Sequence, residues 1–226
     1  MSKPATALRR DYLSLTRNLP PGGLVLLPDV AWNEYQALLN RVGEASHLRL
    51  SYNNGRLQIM SPSPEHEGIA GLLPPLIYVL AEECRLNYLS RRSTTLQKQG
   101  HQKGTEPDDC FYFKNFKLIS GKKRIDLNVD PPPELAFEVD ITNPSLNKFP
   151  IYAAIGVQEL WRHTGQAVYF YRLEEGKYLE IDRSDLFPFL TPQDVFSFLS
   201  IGEAEGAIVM GAEFREWIKA NKEKQQ

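Results

Sequence analysis

The sequence predicts an α/β domain in which a central mixed sheet is flanked by helices. Three patterns carry that expectation. The stretch from Glu134 to Trp161, ELAFEVDITNPSLNKFPIYAAIGVQELW, reads as a strand, a turn, a helix and a second strand. Asn53-Asn54-Gly55 separates two apolar runs, 48–52 and 56–60, and Asn-Gly supplies the positive φ angles of a tight hairpin turn. Around these strands lie stretches whose apolar residues recur at helical spacing, at 32–43 and, longest, at 63–84.

The chain has 226 residues, 42% hydrophobic and 24% charged, enough for one good core. Residues 1–23, with Pro4, Pro20 and Pro21, read as a loose arm with one helical turn around 9–17. The domain proper runs 24–200, and 201–226 form a C-terminal helix and a charged tail. No apolar stretch approaches the roughly 18 residues that cross a bilayer, and no signal-like run follows residues 1–10, so a cytoplasmic location is expected. Cys84 and Cys110 lack metal or disulfide spacing and read as small buried residues. A net charge of -2 and a pI near 6.1 argue against a protein that coats nucleic acid. They are compatible with a nuclease, because acids that bind metal ions lower the pI.

In chain order, Trp32 to Val42 has helical spacing with Gly43 placed to end it, and is expected on the sheet edge. The 48–60 hairpin starts the sheet. Ser63-Pro64-Glu65 has the signature of a helix start, and Ile69, Leu72, Leu73, Leu76, Ile77, Leu80 and Cys84 form one stripe. Stepping back along that stripe puts Glu65 and His66 at its inner end and turns Glu67 away. Pro74 and Pro75 should kink or interrupt the helix. Residues 87–99 read as one strand. Arg91, Arg92, Lys98, His101 and Lys103, and further on Lys122-Lys123-Arg124, are two basic concentrations, read more simply as solvated charge than as phosphate contacts. A second hairpin is expected at 167–173 and 177–182, with Tyr169, Tyr171 and Tyr178 packing rather than stacking on bases. Helices follow at 191–200 and about 212–220.

The acids carry the functional signal. On the strand after Pro131-Pro132-Pro133, alternation puts Leu135, Phe137, Val139 and Ile141 on one face and Glu134, Ala136, Glu138, Asp140 and Thr142 on the other. Residues two apart on a strand lie about 6.5–7 Å apart, so Glu138 and Asp140 can converge on one cation and otherwise repel. In Glu106-Pro-Asp-Asp-Cys-Phe-Tyr-Phe113, Asp109 shares a face with Phe111 and Phe113, so Asp108 is the acid expected to face a site unless a bulge reverses the faces.

Pro107-Asp108, then Glu138-Val139-Asp140-Ile-Thr-Asn-Pro-Ser145, then Lys148, Tyr152, Gly156-Val157, Glu159 and Trp161 form an ordered set of marks, joined by Asn54-Gly55 and Ser61-Pro-Ser-Pro-Glu65-His66. From about Trp32 to Leu190 the chain resembles a bacterial restriction-endonuclease family, first described as a domain of unknown function, within the PD-(D/E)XK nuclease superfamily. The resemblance implies a restriction-endonuclease-like core. It also implies Mg²⁺ (or Mn²⁺) held by Asp108 and Glu138, and an endonuclease, a hydrolase acting on phosphodiester bonds of DNA, working as a homodimer. The superfamily pattern has lysine two residues after the second acid, where this chain has Asp140; family members place a lysine at the start of the next helix, matched by Lys148. Asp140 then becomes a further metal ligand or a partner of Lys148, and Glu65, on the first long helix, a further candidate ligand. The competing expectation is an inactive nuclease fold whose acids pair with nearby lysines, acting as a DNA-associated or protein-interaction module. A nucleophile elbow, paired zinc ligands and phosphate-binding glycine loops are all missing from the sequence.

Overall fold

The computed structural model describes residues 11–43, 47–141 and 146–222. In chain order the elements are α1 (Tyr12–Thr16), β1 (Leu24–Leu27), α2 (Trp32–Val42), β2 (Arg49–Asn53), β3 (Arg56–Met60), α3 (Pro64–Glu83), β4 (Leu89–Ser90), β5 (Leu96–Lys98), β6 (Lys103–Thr105), β7 (Asp109–Tyr112) and α4 (Phe116–Ile119). They continue with β8 (Leu135–Val139), α5 (Phe149–Ile155), β9 (Glu159–His163), β10 (Val168–Glu174), β11 (Lys177–Ile181), α6 (Pro192–Glu205) and α7 (Ala207–Lys222).

The strands form two sheets. One is antiparallel throughout, in the order β1-β3-β2-β6-β5; the other runs β11-β10-β9-β8-β7-β4 and is mixed, because β8 and β9 are parallel. The hairpin that the sequence placed at the start of the central sheet therefore belongs to a sheet of its own. The β8–α5–β9 crossover supplies the one parallel pair among the described strands, as parallel neighbours require a connection across the sheet. α5 is kept short by Pro150 in its first turn and by Gly156, whose φ of 95° ends it.

Leu135, Phe137, Val139, Phe111, Phe113, Trp161 and Phe170 present one face of the mixed sheet to α3, α6 and α7, forming the largest core. On the opposite face Cys110, Ala136 and Leu160 pack under Ile151, Tyr152 and Ile155 of α5. Every residue of β8 is buried, so the acid-bearing face is covered rather than half-exposed. Tyr171 and Tyr178 pack on Phe149, as expected of structural tyrosines.

α2 lies on a face of the first sheet and not on an edge: Tyr35 and Leu38 pack with Leu50, Tyr52, Leu57 and Ile59. A Cβ at Gly104 would come 2.5 Å from the Tyr35 hydroxyl, so the bare backbone there lets the helix sit so close. Tyr12 of α1 is buried in this cluster, which anchors the N-terminal arm.

Three further expectations are corrected. Residues 87–99 are two strands in different sheets, divided by a turn in which Arg92 takes φ 47°. α3 runs through Pro74 and Pro75 without interruption; Gly71, four residues before Pro75, is exposed, so the carbonyl released there can turn to water. Cys84 is half-buried against the core, whereas Cys110 is fully buried. Both hairpin turns, at Asn54-Gly55 and Glu175-Gly176, have the positive φ angles expected of them.

Candidate active site

Glu138 sits on β8, 4% exposed, and both its carboxylate oxygens are engaged by α5 and the residue before it. Lys148 Nζ lies 2.5 Å from Oε2, and the Tyr152 hydroxyl donates to Oε1. The four-residue spacing of Lys148 and Tyr152 puts them on one side of the helix start, so both reach the same acid. Burial pushes the Glu138 carboxyl up, to about 6, with Lys148 opposing the shift and the Asp108 charge adding to it. Burial would lower the Lys148 ammonium, but Glu138 and Asp108 outweigh it and hold the group above its ordinary value. Lys148 is therefore a fixed cation at neutral pH and not a base. Tyr152→Phe would leave Oε1 without its donor; a loss of about 1.5–3 kcal/mol in unfolding free energy is expected by urea titration, the usual worth of a hydrogen bond to a charged group.

Asp108 leads into β7. The β7–β8 register ends at Asp109↔Phe137; just before it Asp108 N donates to Phe137 O at 3.2 Å, and the Asp108 charge acts on both Glu138 and Lys148, which puts the two acids in one cluster. The backbone N–H of Val139 donates to Asp108 Oδ2 at 2.7 Å, clipping the strand ends together. His66 Nε2 lies 3.3 Å from the same oxygen, an ion-pair distance without the alignment of a good hydrogen bond. Burial pushes Asp108 up, but His66 and Lys148 outweigh it and hold it below the usual carboxylate range. Burial pulls His66 down, and Asp108 more than reverses that. Among the described residues Asp108 Oδ1 accepts no hydrogen bond.

The other predicted residues go elsewhere. Asp140 accepts from Arg162 Nε at 3.0 Å and Nη2 at 2.5 Å, so its charge is matched from β9 and not by Lys148, which feels it only at longer range. Glu65 is exposed on the first turn of α3, where His66 is the residue that turns inward; Glu67 faces Arg49 at 3.4 Å. Ser63 accepts from the His66 N–H at 3.1 Å, the predicted cap. Thr142 and the Asn143-Pro144-Ser145 marks lie outside the described residues. Asp109 is buried away from the cluster, where Oδ1 accepts from Ser90 Oγ, Arg92 N and Cys110 N at 2.7, 3.0 and 2.7 Å. Glu159 is structural, accepting from Trp161 Nε1 and from the backbone of Asp185 and Leu186. Arg162 escaped sequence reasoning, although the parallel register that sets it beside Glu138 follows from the strand–helix–strand order.

The donor set fits a hydrated hard cation. Asp108 and Glu138 offer carboxylate oxygens from adjacent strands, and Mg²⁺ commonly takes one or two carboxylates and keeps its waters. No group of three or more His, Cys, Asp or Glu among the described residues is placed to hold a metal ion, so such a cation would complete its shell with water and substrate oxygens.

The family model Uma2, described as "putative restriction endonuclease", matches residues 11–202. The chain belongs to the Uma2 family. A crystal structure described as "a putative nuclease belonging to DUF820", from Anabaena variabilis ATCC 29413, is similar in fold to this Uma2 chain, with a TM-score of 0.53 at 18% identity, covering 75% of this chain and 99% of that one. Among proteins of curated function, none matches significantly. The mixed sheet flanked by helices in this Uma2 chain is thus a restriction-endonuclease-like fold, and none of its described helices is long and apolar enough to cross a membrane.

Proposed function

We propose that this Uma2 protein is a metal-dependent endonuclease that hydrolyses phosphodiester bonds of DNA. One observation carries the reading: Glu138 on β8 and Asp108 at the start of β7 form one buried acidic cluster, with Lys148 bonded to Glu138 and acting on the charge of both. Asp108 and Glu138 would hold Mg²⁺ or Mn²⁺, which when bound supplies Lewis-acid stabilisation of phosphate charge and an acidified water. Lys148, kept charged by its two acidic neighbours, neutralises Glu138 before substrate arrives and offers its ammonium to the phosphate oxygens afterwards. Tyr152 fixes the Glu138 rotamer, and His66 with the Val139 amide fixes Asp108. Asp140 remains with Arg162 and Glu65 at the surface. Because one such cluster cuts one strand, a homodimer is the assembly proposed for cutting both.

Incubation with supercoiled plasmid and Mg²⁺, Mn²⁺ or EDTA tests the reading, with Glu138→Gln as the control for contaminating nucleases. Nicking by the wild type alone, only with metal, is the expected result. The small ligand set favours a second reading, an inactive DNA-associated or interaction module; it would be preferred if no metal and no DNA form supports nicking.

Metal binding should be linked to protons. Glu138, with its folded value raised to about 6, destabilises the metal-free protein as pH rises through that value, since the buried carboxylate must ionise. A divalent cation favours the ionised form, so excess Mg²⁺ should raise Tm more at about pH 7.5 than at about pH 5. A shift independent of pH would count against Glu138 as a ligand.

A further inference from the structure

The two basic stretches that the sequence keeps some thirty residues apart meet in the fold. Arg91 Nη2 donates to the carbonyl of Ile119 at 2.6 Å, which holds the 119–125 loop beside the 91–95 turn. Between that turn, the loop and the end of α2 lies a cleft of about 600 Å³ whose lining includes Arg49, Arg91, Arg92, Lys123 and Arg124, with Glu106 the one acid among its described lining residues. In a chain with net charge -2 this is a strong local reversal of sign.

The cleft adjoins the candidate site through Glu106. That residue is two positions before Asp108, and its carboxyl is tied to the sheet by Leu50 N at 2.8 Å and Thr95 Oγ1 at 3.1 Å. Both Arg49 in the cleft and Lys148 in the site act on its charge. Burial nonetheless pushes the Glu106 carboxyl up, so what anchors it are its hydrogen bonds, and the cations around it are in excess. Arg49 and Arg91 each have five N–H donors and, among the described residues, spend them on one contact apiece. Arg92 is exposed and presented from a left-handed backbone held by Asp109, through the 3.0 Å bond from Arg92 N. A non-glycine residue in that conformation is held there by its surroundings, and the buried carboxylate is what holds it.

We propose that this cleft carries the sugar–phosphate backbone of the strand entering the site, with Arg49, Arg91, Arg92, Lys123 and Arg124 as phosphate contacts and Asp109 as the residue that positions the 91–92 turn. The inference rests on nucleic acid being the substrate. It adds a track by which the substrate is held independently of metal and of hydrolysis.

The test is binding in EDTA, where no cleavage occurs, of fluorescein-labelled oligonucleotides, single-stranded and duplex, followed by anisotropy over a salt series. Arg92→Gln/Arg124→Gln removes two exposed cleft charges; Lys177→Gln/Lys219→Gln removes two exposed charges outside the cleft. The cleft pair should weaken binding of at least one oligonucleotide about ten-fold or more at low salt. It should also flatten the slope of log K against log salt by about 1.4 for a single strand or about 1.8 for a duplex, two phosphates' worth of released counterions. The control pair should leave both within about two-fold. Equal losses from both pairs, no loss from the cleft pair, or no salt-dependent binding by the wild type would overturn the inference. Failure of plasmid nicking with the cleft-dependent binding intact would count against hydrolysis alone.

Discussion

Replacing Lys148 with alanine is expected to lower the unfolding free energy of the metal-free protein by about 3–5 kcal/mol above pH 7, the cost of breaking a buried ion pair from one side. The lysine side chain is 15% exposed and the Glu138 side chain 5%, so bulk solvent screens the lost ammonium poorly. What remains is a buried carboxylate repelled by the Asp108 charge, with the Tyr152 hydroxyl its one hydrogen-bond donor among the described residues. Glu138 then titrates above its present value of about 6, and the loss should shrink as pH falls and the carboxyl protonates. Lys148→Ala/Glu138→Gln removes the charge as well as its partner and should regain most of the stability. Urea titrations of the two single variants, the double variant and the wild type at about pH 5 and about pH 8 decide this. A double variant less stable than Lys148→Ala would mean that the lysine stem, and not the charge pair, supports the fold. The same single variant should lose metal-dependent nicking, because Lys148 is the ammonium bonded to Glu138 and its charge also acts on Asp108.

The sequence made this cluster partly legible because its components lie at short, regular spacings. Alternation separates Asp108 from Asp109, and the order strand, turn, helix sets Lys148 and Tyr152 against Glu138. Alternation does not say how deep a strand is buried. Ala136, between Glu134 and Glu138, was the available sign that this face is covered, since a small side chain there leaves room for α5 to pack. Helical periodicity could not choose between Glu65 and His66, one residue apart at the same helix start; packing against Asp108 chose the histidine. The division of 87–99 was invisible because its cause is remote: Asp109, seventeen residues downstream, holds Arg92 in a left-handed turn. Likewise, period-2 patterns identify strands but not their partners, so they put the 48–60 hairpin in the central sheet, whereas β6, from residues 103–105, draws it into another.

Asp108 and Asp109 show how one backbone step divides labour. Asp108 opens toward Glu138, with one oxygen fixed by Val139 and His66 and the other free of hydrogen bonds among the described residues. Asp109 spends one oxygen on three donors in a closed pocket, and burial pushes its carboxyl up to about 6. An acid disposed in the first way can take an external cation; in the second way it organises its own surroundings.

Asp108→Asn is accordingly expected to reduce metal-dependent nicking by about 10²–10³-fold, the scale seen when a preorganised charge-stabilising group is removed, with some loss of stability at neutral pH, because His66 and Lys148 favour the ionised Asp108 in the fold. The amide oxygen can still accept from Val139 N, so the β7–β8 clip survives, while the negative charge that would hold a cation is gone. His66 should respond as well: without the Asp108 charge its burial is no longer outweighed, and its titration, followed by NMR, should move down. Asp108→Ala differs, because it leaves the Val139 amide buried without an acceptor and should cost about 1–3 kcal/mol. Asp109→Asn provides the contrast. Its amide oxygen can accept the same three donors, so nicking should stay within about five-fold of wild type, a change of roughly 1 kcal/mol in the barrier. It should also abolish the part of the stability loss between about pH 4 and pH 7 that arises from ionising a buried aspartate. Wild-type nicking by Asp108→Asn, or equal loss from the two asparagine variants, would remove Asp108 from the site and with it the pair of clustered carboxylates on which the chemistry depends.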